Sequence, residues 1–263
     1  MPKVKAKPNK NRKVRYEELL PHEAVAERRK YPVAYLPIGT IEWHGEQNCL
    51  GLDTVKIHAL AMRCAQSTGG LVFPPLYYGE PREHYLMEAN ARPAERINIA
   101  KKMELNPDNF KTGYLQEKGF DANFDYTRLL HKILVEIHSL GFRVIVVMAG
   151  HYPLLYHARA ACELFNLDYA RYRKPVAWAC TGYELVRDEI PEAGDHAAAW
   201  ETSLMLALRP DLVNLSRLPK GAKEKLVGVH GRDPRRFANE QFGRRGVEAI
   251  VKKISIKVAE LLK

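Results

Sequence analysis

The sequence predicts an α/β fold, a three-layer α/β/α sandwich around a mostly parallel sheet, and three observations predict it. Short β-branched apolar runs alternate with stretches of helical periodicity along the chain. One of those runs, Phe142 to Ala149, is apolar almost throughout, as a strand covered on both faces must be. No linker or internal repeat divides residues 16–263, which therefore read as a single domain.

In chain order, Tyr16 to Lys30 reads as a helix despite Pro21, and Val33 to Gly39 as a buried strand closed by proline and glycine. Asp53 and Thr54 offer an N-cap to a helix reaching Gln66, with Ile57, Leu60, Ala61 and Cys64 on its inner face and Gly69-Gly70 as its stop. Leu71-Val72-Phe73 is the next strand. Residues 79–120 are polar, carry Pro81, Pro93 and Pro107, show little periodicity and read as an insertion or lid. From Asp125 to Leu140, Leu129, Leu130, Ile133, Leu134, Ile137 and Leu140 recur at helical spacing before Gly141. After the central strand come a helix from Leu154 to Phe165, a strand over Pro175 to Ala179, and a helix from Ala197 to Leu208. A largely helical stretch from Asp233 to Leu262 follows, with Pro234 in its first turn.

Composition excludes several classes of function. The net charge of +10 is concentrated: Lys3, Lys5, Lys7, Lys10, Arg12, Lys13 and Arg15 all lie in residues 1–15, where there is no acid, leaving +3 for the rest. Those residues read as a disordered basic tail, and with no folded basic face beside it nucleic acid is not an expected partner. No apolar run approaches the roughly 18 to 20 residues that cross a bilayer, and the N-terminus has no signal-like apolar segment, so a cytoplasmic protein without membrane contact is expected. Cys49, Cys64, Cys162 and Cys180 form no CxxC pair and are expected to be reduced.

Ligands of open α/β sheets gather beyond the carboxyl ends of the strands, and this sequence concentrates reactive side chains there. Glu42 and His44 follow the first strand at i and i+2, pointing the same way if the chain is still extended. Asp53 opens a helix whose N-terminal dipole favours an anion. His151 follows the central strand, and Asp195-His196 with Glu201 open a later helix. Glu42, His44, Asp53, His151 and Glu201 make a mixed oxygen and nitrogen set suited to one or two divalent ions: zinc, manganese or iron. Such ions bring the pKa of a bound water towards about 7 and polarise a carbonyl, which is the chemistry of hydrolysis at neutral pH.

The segments LPIGTIEWHG and LGLDT, the AGH after the central strand, DHAAAWETSLMLALRPDLV and VGVHGRDPRRFANEQFGRRG resemble, in order and spacing, the creatininase (creatinine amidohydrolase) family from about Tyr16 onward. The resemblance implies a creatininase-like α/β/α sandwich, a one- or two-metal centre, hydrolysis of a non-peptide amide C–N bond in a small molecule, and a homo-oligomer, often a hexamer. It assigns Glu42, His44, Asp53 and His151 to metal positions, with Asp53 bridging. It makes His196 a proton shuttle, Glu201 the acid of the Glu-Thr-Ser block, and Tyr152 a pocket residue that binds substrate. Pro153 stands where the creatininase branch has a metal-binding glutamate, and Gln47 where the family has a histidine. A small cyclic amide or formamide-like substrate cleaved by metal-activated hydroxide is the expected reaction. A non-catalytic family member acting as an oligomeric scaffold or small-molecule binder is the alternative.

Overall fold

Every residue of Val33–Ile38 and of Val144–Ala149 is buried, and that double-sided burial sets the architecture. The structure, a computed structural model, describes residues 12–80, 93–110, 119–169, 175–221 and 223–263. The elements in order are α1 (Pro21–Lys30), β1 (Val33–Ile38), α2 (Leu52–Thr68), β2 (Leu71–Val72), α3 (Pro93–Lys102), α4 (Gly119–Ser139), β3 (Val144–Ala149), α5 (Leu154–Tyr169), β4 (Val176–Thr181), α6 (Gly182–Val186), α7 (Ala199–Leu208), α8 (Pro234–Phe237) and α9 (Glu240–Leu261). The described strands form one parallel sheet in the order β2-β1-β3-β4, with Val33 opposite Val144 and Val144 opposite Val176.

Side chains of β3 alternate between two cores, as a period of two requires. Val144, Val146 and Met148 meet Ile57 and Leu60 of α2, Trp200 and Leu204 of α7, and Ile250 and Ile254 of α9. Ile145, Val147 and Ala149 meet Leu130, Leu134 and Ile137 of α4 and Leu154, Leu155 and Phe165 of α5. The α/β/α sandwich expected from the sequence is thus the observed one.

Several boundaries differ from the expectation. The first helix starts only at Pro21, after a single 3-10 turn at Tyr16–Glu18. The helix expected over Asp125 to Leu140 runs from Gly119 to Ser139, with Leu129 38% exposed on it and Leu140, just past its end, 36% exposed. The C-terminal stretch breaks between α8 and α9, because Asn239 leaves helical geometry and its side chain caps α9 by accepting the Phe242 N–H at 2.8 Å. Within 79–120 the described part is not featureless: α3 buries Ile99 and Ala100 against Trp43. Residues 81–92 and 111–118 of that insertion, and residues 1–11 of the basic tail, lie outside the described residues. Residues 12–15, which the sequence places in the tail, lie along β2. Val14 accepts the Val72 N–H at 2.7 Å, and the Arg12 guanidinium donates to the carbonyls of Ala65 at 2.7 Å and Gly70 at 3.0 Å.

Candidate metal centre

The helix after β1 returns to β2 on one side of the sheet, and the helix after β3 runs to β4 on the other, so the connections part between β1 and β3. Such a switch point opens a crevice at the carboxyl ends of the strands. From β1 comes the loop bearing Glu42 and His44, closed by the Glu42 N–H to Leu50 carbonyl bond of 2.8 Å. From β3 comes His151, one residue past Gly150. Asp53 is not the N-cap the sequence suggested; Gly51 holds that position without a side-chain bond, and Asp53 sits in the first turn of α2. Relieved of capping, its carboxylate is available to the crevice.

Gly150 is required by close approach. A Cβ there would lie 2.1 Å from the Asp53 carbonyl oxygen, so a side chain would force the backbones of two site residues apart. Gly150→Ala is expected to cost about 1–3 kcal/mol of stability and to weaken metal binding at the same time, as read by urea denaturation and metal titration.

The five ligand candidates converge. His151 Nδ1 lies 2.9 Å from Asp53 Oδ2 and 3.1 Å from Glu42 Oε2. His44 Nε2 lies 3.4 Å from Asp53 Oδ1, 3.7 Å from Glu201 Oε2 and 4.0 Å from Glu42 Oε2. Asp53 therefore stands between two groups, one oxygen towards each. Among the described residues, three sets of ligand atoms lie within 4.8 Å of one another: Glu42, Asp53 and His151; His44, Asp53 and Glu201; and Glu42, His44 and His196. All five are buried.

The histidines are oriented as ligands are. His44 Nδ1 lies 3.1 Å from the Glu42 carbonyl, and donating its proton there leaves the Nε2 lone pair facing the carboxylates. His151 Nε2 lies 2.9 Å from Glu80 Oε1, so a proton held between those atoms leaves Nδ1 to face Glu42 and Asp53. Lone pairs aimed at buried carboxylates repel unless a proton or a cation lies between them, so the donor set fits a divalent ion.

Without metal, protons perform that task. Burial works against a charged His44, but the Asp53, Glu201 and Glu42 carboxylates outweigh it and push its pKa up to about 9. Burial likewise opposes a charged His151, which Glu42, Asp53 and Glu80 hold well above the ordinary histidine value. Burial raises Glu42, yet His151 and His44 bring it down to about 2, and Asp53 is held well below its usual range despite its burial. The raised His44 stabilises the metal-free fold below pH 6.5, and that contribution is lost as pH rises through about 9. The lowered Glu42 stabilises it above pH 4.5 and stops doing so as pH falls through about 2. A proton and a metal compete for the His151 nitrogen, whose pKa is held well above 6.5, so the rise in Tm on adding zinc should grow as pH rises above 6.5 when scans with zinc and with chelator are compared.

His196 lies beside this cluster, its ring 4.5 Å from that of His44 and its Nε2 3.1 Å from the Trp43 carbonyl. Ala197, with φ +54°, fixes the turn that presents it. The Ala197 N–H donates to Glu201 Oε2 at 2.9 Å, and its carbonyl accepts from Gln47 Nε2 at 2.7 Å. Gln47, conspicuous in the sequence as a lost histidine, thus pins the His196 turn. Tyr152 stands at the rim, 41% exposed, with its ring 5.0 Å from Tyr183. Asp53, His151, His196, Glu201 and Tyr152 all border one cavity of about 360 Å³.

Sequence reasoning missed Glu80 and Lys56, and it named Asp195 without giving it a role. Glu80 backs His151, and Asp195 caps α7 by accepting the N–H groups of Trp200 at 2.7 Å and Glu201 at 3.1 Å. Burial, with Glu201 nearby, pushes the Asp195 carboxyl up to about 7. Lys56 is buried in α2, and its ammonium lies 3.2 Å from Asp53 Oδ1 and hydrogen-bonds Glu201 Oε1. Burial alone would lower its pKa, but Glu201 and Asp53 hold it above the ordinary lysine value. A signal was present: Lys56 interrupts the apolar spacing of Leu52 and Leu60 on the inner face of α2.

The family model described as creatinine amidohydrolase matches residues 17–92 and 124–255. The chain belongs to the creatininase family. Creatinine amidohydrolase of Pseudomonas putida is 28% identical to it over 199 residues, which is 71% of this chain and 68% of the relative. Among solved structures, a Zn-Zn form of a mutant creatininase superposes with a TM-score of 0.68, and a manganese creatininase with 0.67. Each is 23% identical, and each match covers 95% of this chain and 98% of the other, so these two likenesses speak for the fold. Membership of the creatininase family makes the chain a creatininase-like hydrolase. Among the described residues, no helix is long and apolar enough to cross a membrane.

Proposed function

We propose that the chain is a metal-dependent amidohydrolase that cleaves a non-peptide C–N bond in a small cyclic amide or formamide-like substrate. The observation that carries the proposal is the convergence of Glu42, His44, Asp53, His151 and Glu201, from four separate stretches of chain, on one buried centre beside a cavity. Glu42, Asp53 and His151 would hold a divalent ion on one side of Asp53, and His44, Asp53 and Glu201 offer a set on the other. A zinc or manganese ion bound there supplies Lewis acidity, making water nucleophilic near neutral pH and polarising the amide carbonyl. Relatives with zinc and manganese, and one complexed with creatine, favour those metals and a small guanidine-like or amide ligand.

His196 would move the proton. With its Nε2–H donated to the Trp43 carbonyl, Nδ1 is the atom that accepts a proton from water and returns it to the departing nitrogen. The cavity of about 360 Å³ is at the small end of ligand sites, and the Tyr152 and Tyr183 rings at its edge suit a flat, compact substrate. The homo-oligomer implied by kinship, a hexamer in the creatininase pattern, belongs to the same proposal, and light scattering measures it directly.

The test is hydrolysis by zinc- or manganese-loaded protein of a panel of creatinine, other five- and six-membered cyclic amides, and N-formyl amines, followed by proton NMR, with a dipeptide as control. Turnover of at least one panel member, abolished by chelator and restored by metal, is the expected result. Failure of fully loaded protein to turn over any of them would contradict the catalytic reading.

A further inference from the structure

The two ligand sets that share Asp53 are not equivalent. On the Oδ2 side, Asp53 and Glu42 lie 2.9 and 3.1 Å from His151 Nδ1, and Glu42 Oε2 is also 4.0 Å from His44 Nε2. On the Oδ1 side a cation is already built in. Lys56 Nζ lies 3.2 Å from Asp53 Oδ1 and donates to Glu201 Oε1, and its side chain is only 7% exposed. The other oxygen of Glu201 accepts the Ala197 N–H at 2.9 Å. Both oxygens of Glu201 and the inner oxygen of Asp53 are therefore engaged by groups of the protein itself.

We propose that this centre takes one divalent ion per chain, held by Glu42, Asp53 Oδ2 and His151, and that the Lys56 ammonium is its permanent second cation, seated between Asp53 Oδ1 and Glu201. The inference rests on the metal-dependent reading given above. A divalent ion among His44, Asp53 and Glu201 would compete with the ammonium for Asp53 Oδ1 and lie within a few ångströms of its charge, in a buried place where such repulsion is poorly screened. Lys56 cannot withdraw cheaply, because it sits on the inner face of α2 one turn from Asp53, between Leu52 and Leu60, which are fully buried. Lys56 also borders the cavity, so its charge reaches a molecule bound there.

The experiment is metal counting. Purified full-length protein and the variants Lys56→Met and His44→Gln are equilibrated with excess zinc, desalted and measured by elemental analysis, with cobalt titration followed by absorbance as a second readout. Wild type should hold one ion per chain, Lys56→Met two because the His44, Asp53 and Glu201 set is released, and His44→Gln one. Two ions in wild type would overturn the inference and leave the metal-dependent reading intact. One ion in Lys56→Met would show that the ammonium excludes nothing, which also overturns it. No ion in wild type would overturn both. Should either variant fail to fold, the wild-type count and its cobalt end point still decide between one ion and two.

Discussion

Replacing Asp53 with asparagine should remove metal and activity together. The substitution keeps the shape of the side chain and takes away the charge around which Lys56, His44 and His151 are arranged. Turnover is expected to fall by at least about 10³-fold, since the bound ion provides both the nucleophile and the stabilisation of developing charge. Metal content should fall below one tenth of the wild-type value by elemental analysis. Stability should fall as well. Removing one member of a buried charge cluster typically costs about 3–5 kcal/mol, and here Lys56, His44 and His151 would all lose a counter-charge. Urea denaturation of the metal-free proteins measures this separately from the metal effect.

Replacing His196 with asparagine should separate chemistry from metal binding. The ion is proposed to sit among Glu42, Asp53 and His151, and His196 belongs to a separate set with Glu42 and His44, so the metal content of the variant should match wild type. Its kcat should fall by about 10²–10⁴, the usual contribution of a positioned general acid or base, with a smaller change in KM. The pH profile of kcat should lose the limb that reports the histidine. A variant that lost its metal would instead make His196 a ligand.

The two predictions draw on features of unequal visibility in the sequence. Strands β1 and β3 were legible because nearly every residue is apolar and β-branched residues dominate β3, and strands buried on both faces leave that mark. Glu42 and His44 were legible because their i, i+2 spacing follows directly on a strand, and His151 because a glycine and an imidazole end the central one. Asp53 was legible because it stands at the mouth of a helix, but it is not the N-cap the sequence also offered: the loop enters α2 at Gly51 and leaves Asp53 inside the first turn. Leu129 and Leu140 matched helical spacing yet are exposed, Leu140 lying past the end of α4, because spacing alone does not define the buried stripe.

What could not be read was decided by contacts across the chain. Lys56 meets Glu201 over a separation of 145 residues, and Glu80 lies at the start of the stretch with little periodicity. The Gln47 bond to the Ala197 carbonyl spans 150 residues, so a position that looked like the loss of a pocket histidine is a brace for the His196 turn. The Trp43 and Ile99 contact likewise ties α3 to the loop that carries Glu42 and His44, although the sequence around α3 reads as irregular.

The central claim is that side chains from the ends of β1 and β3 and the start of α2 grip a divalent cation. Crystals grown with zinc and measured on both sides of its absorption edge test this most directly. The expected result is an anomalous peak within bonding distance, about 2.0–2.2 Å, of His151 Nδ1 and of carboxylate oxygens of Glu42 and Asp53. Zinc-soaked crystals with no peak between those three side chains, or with zinc bound only at the surface, would contradict it.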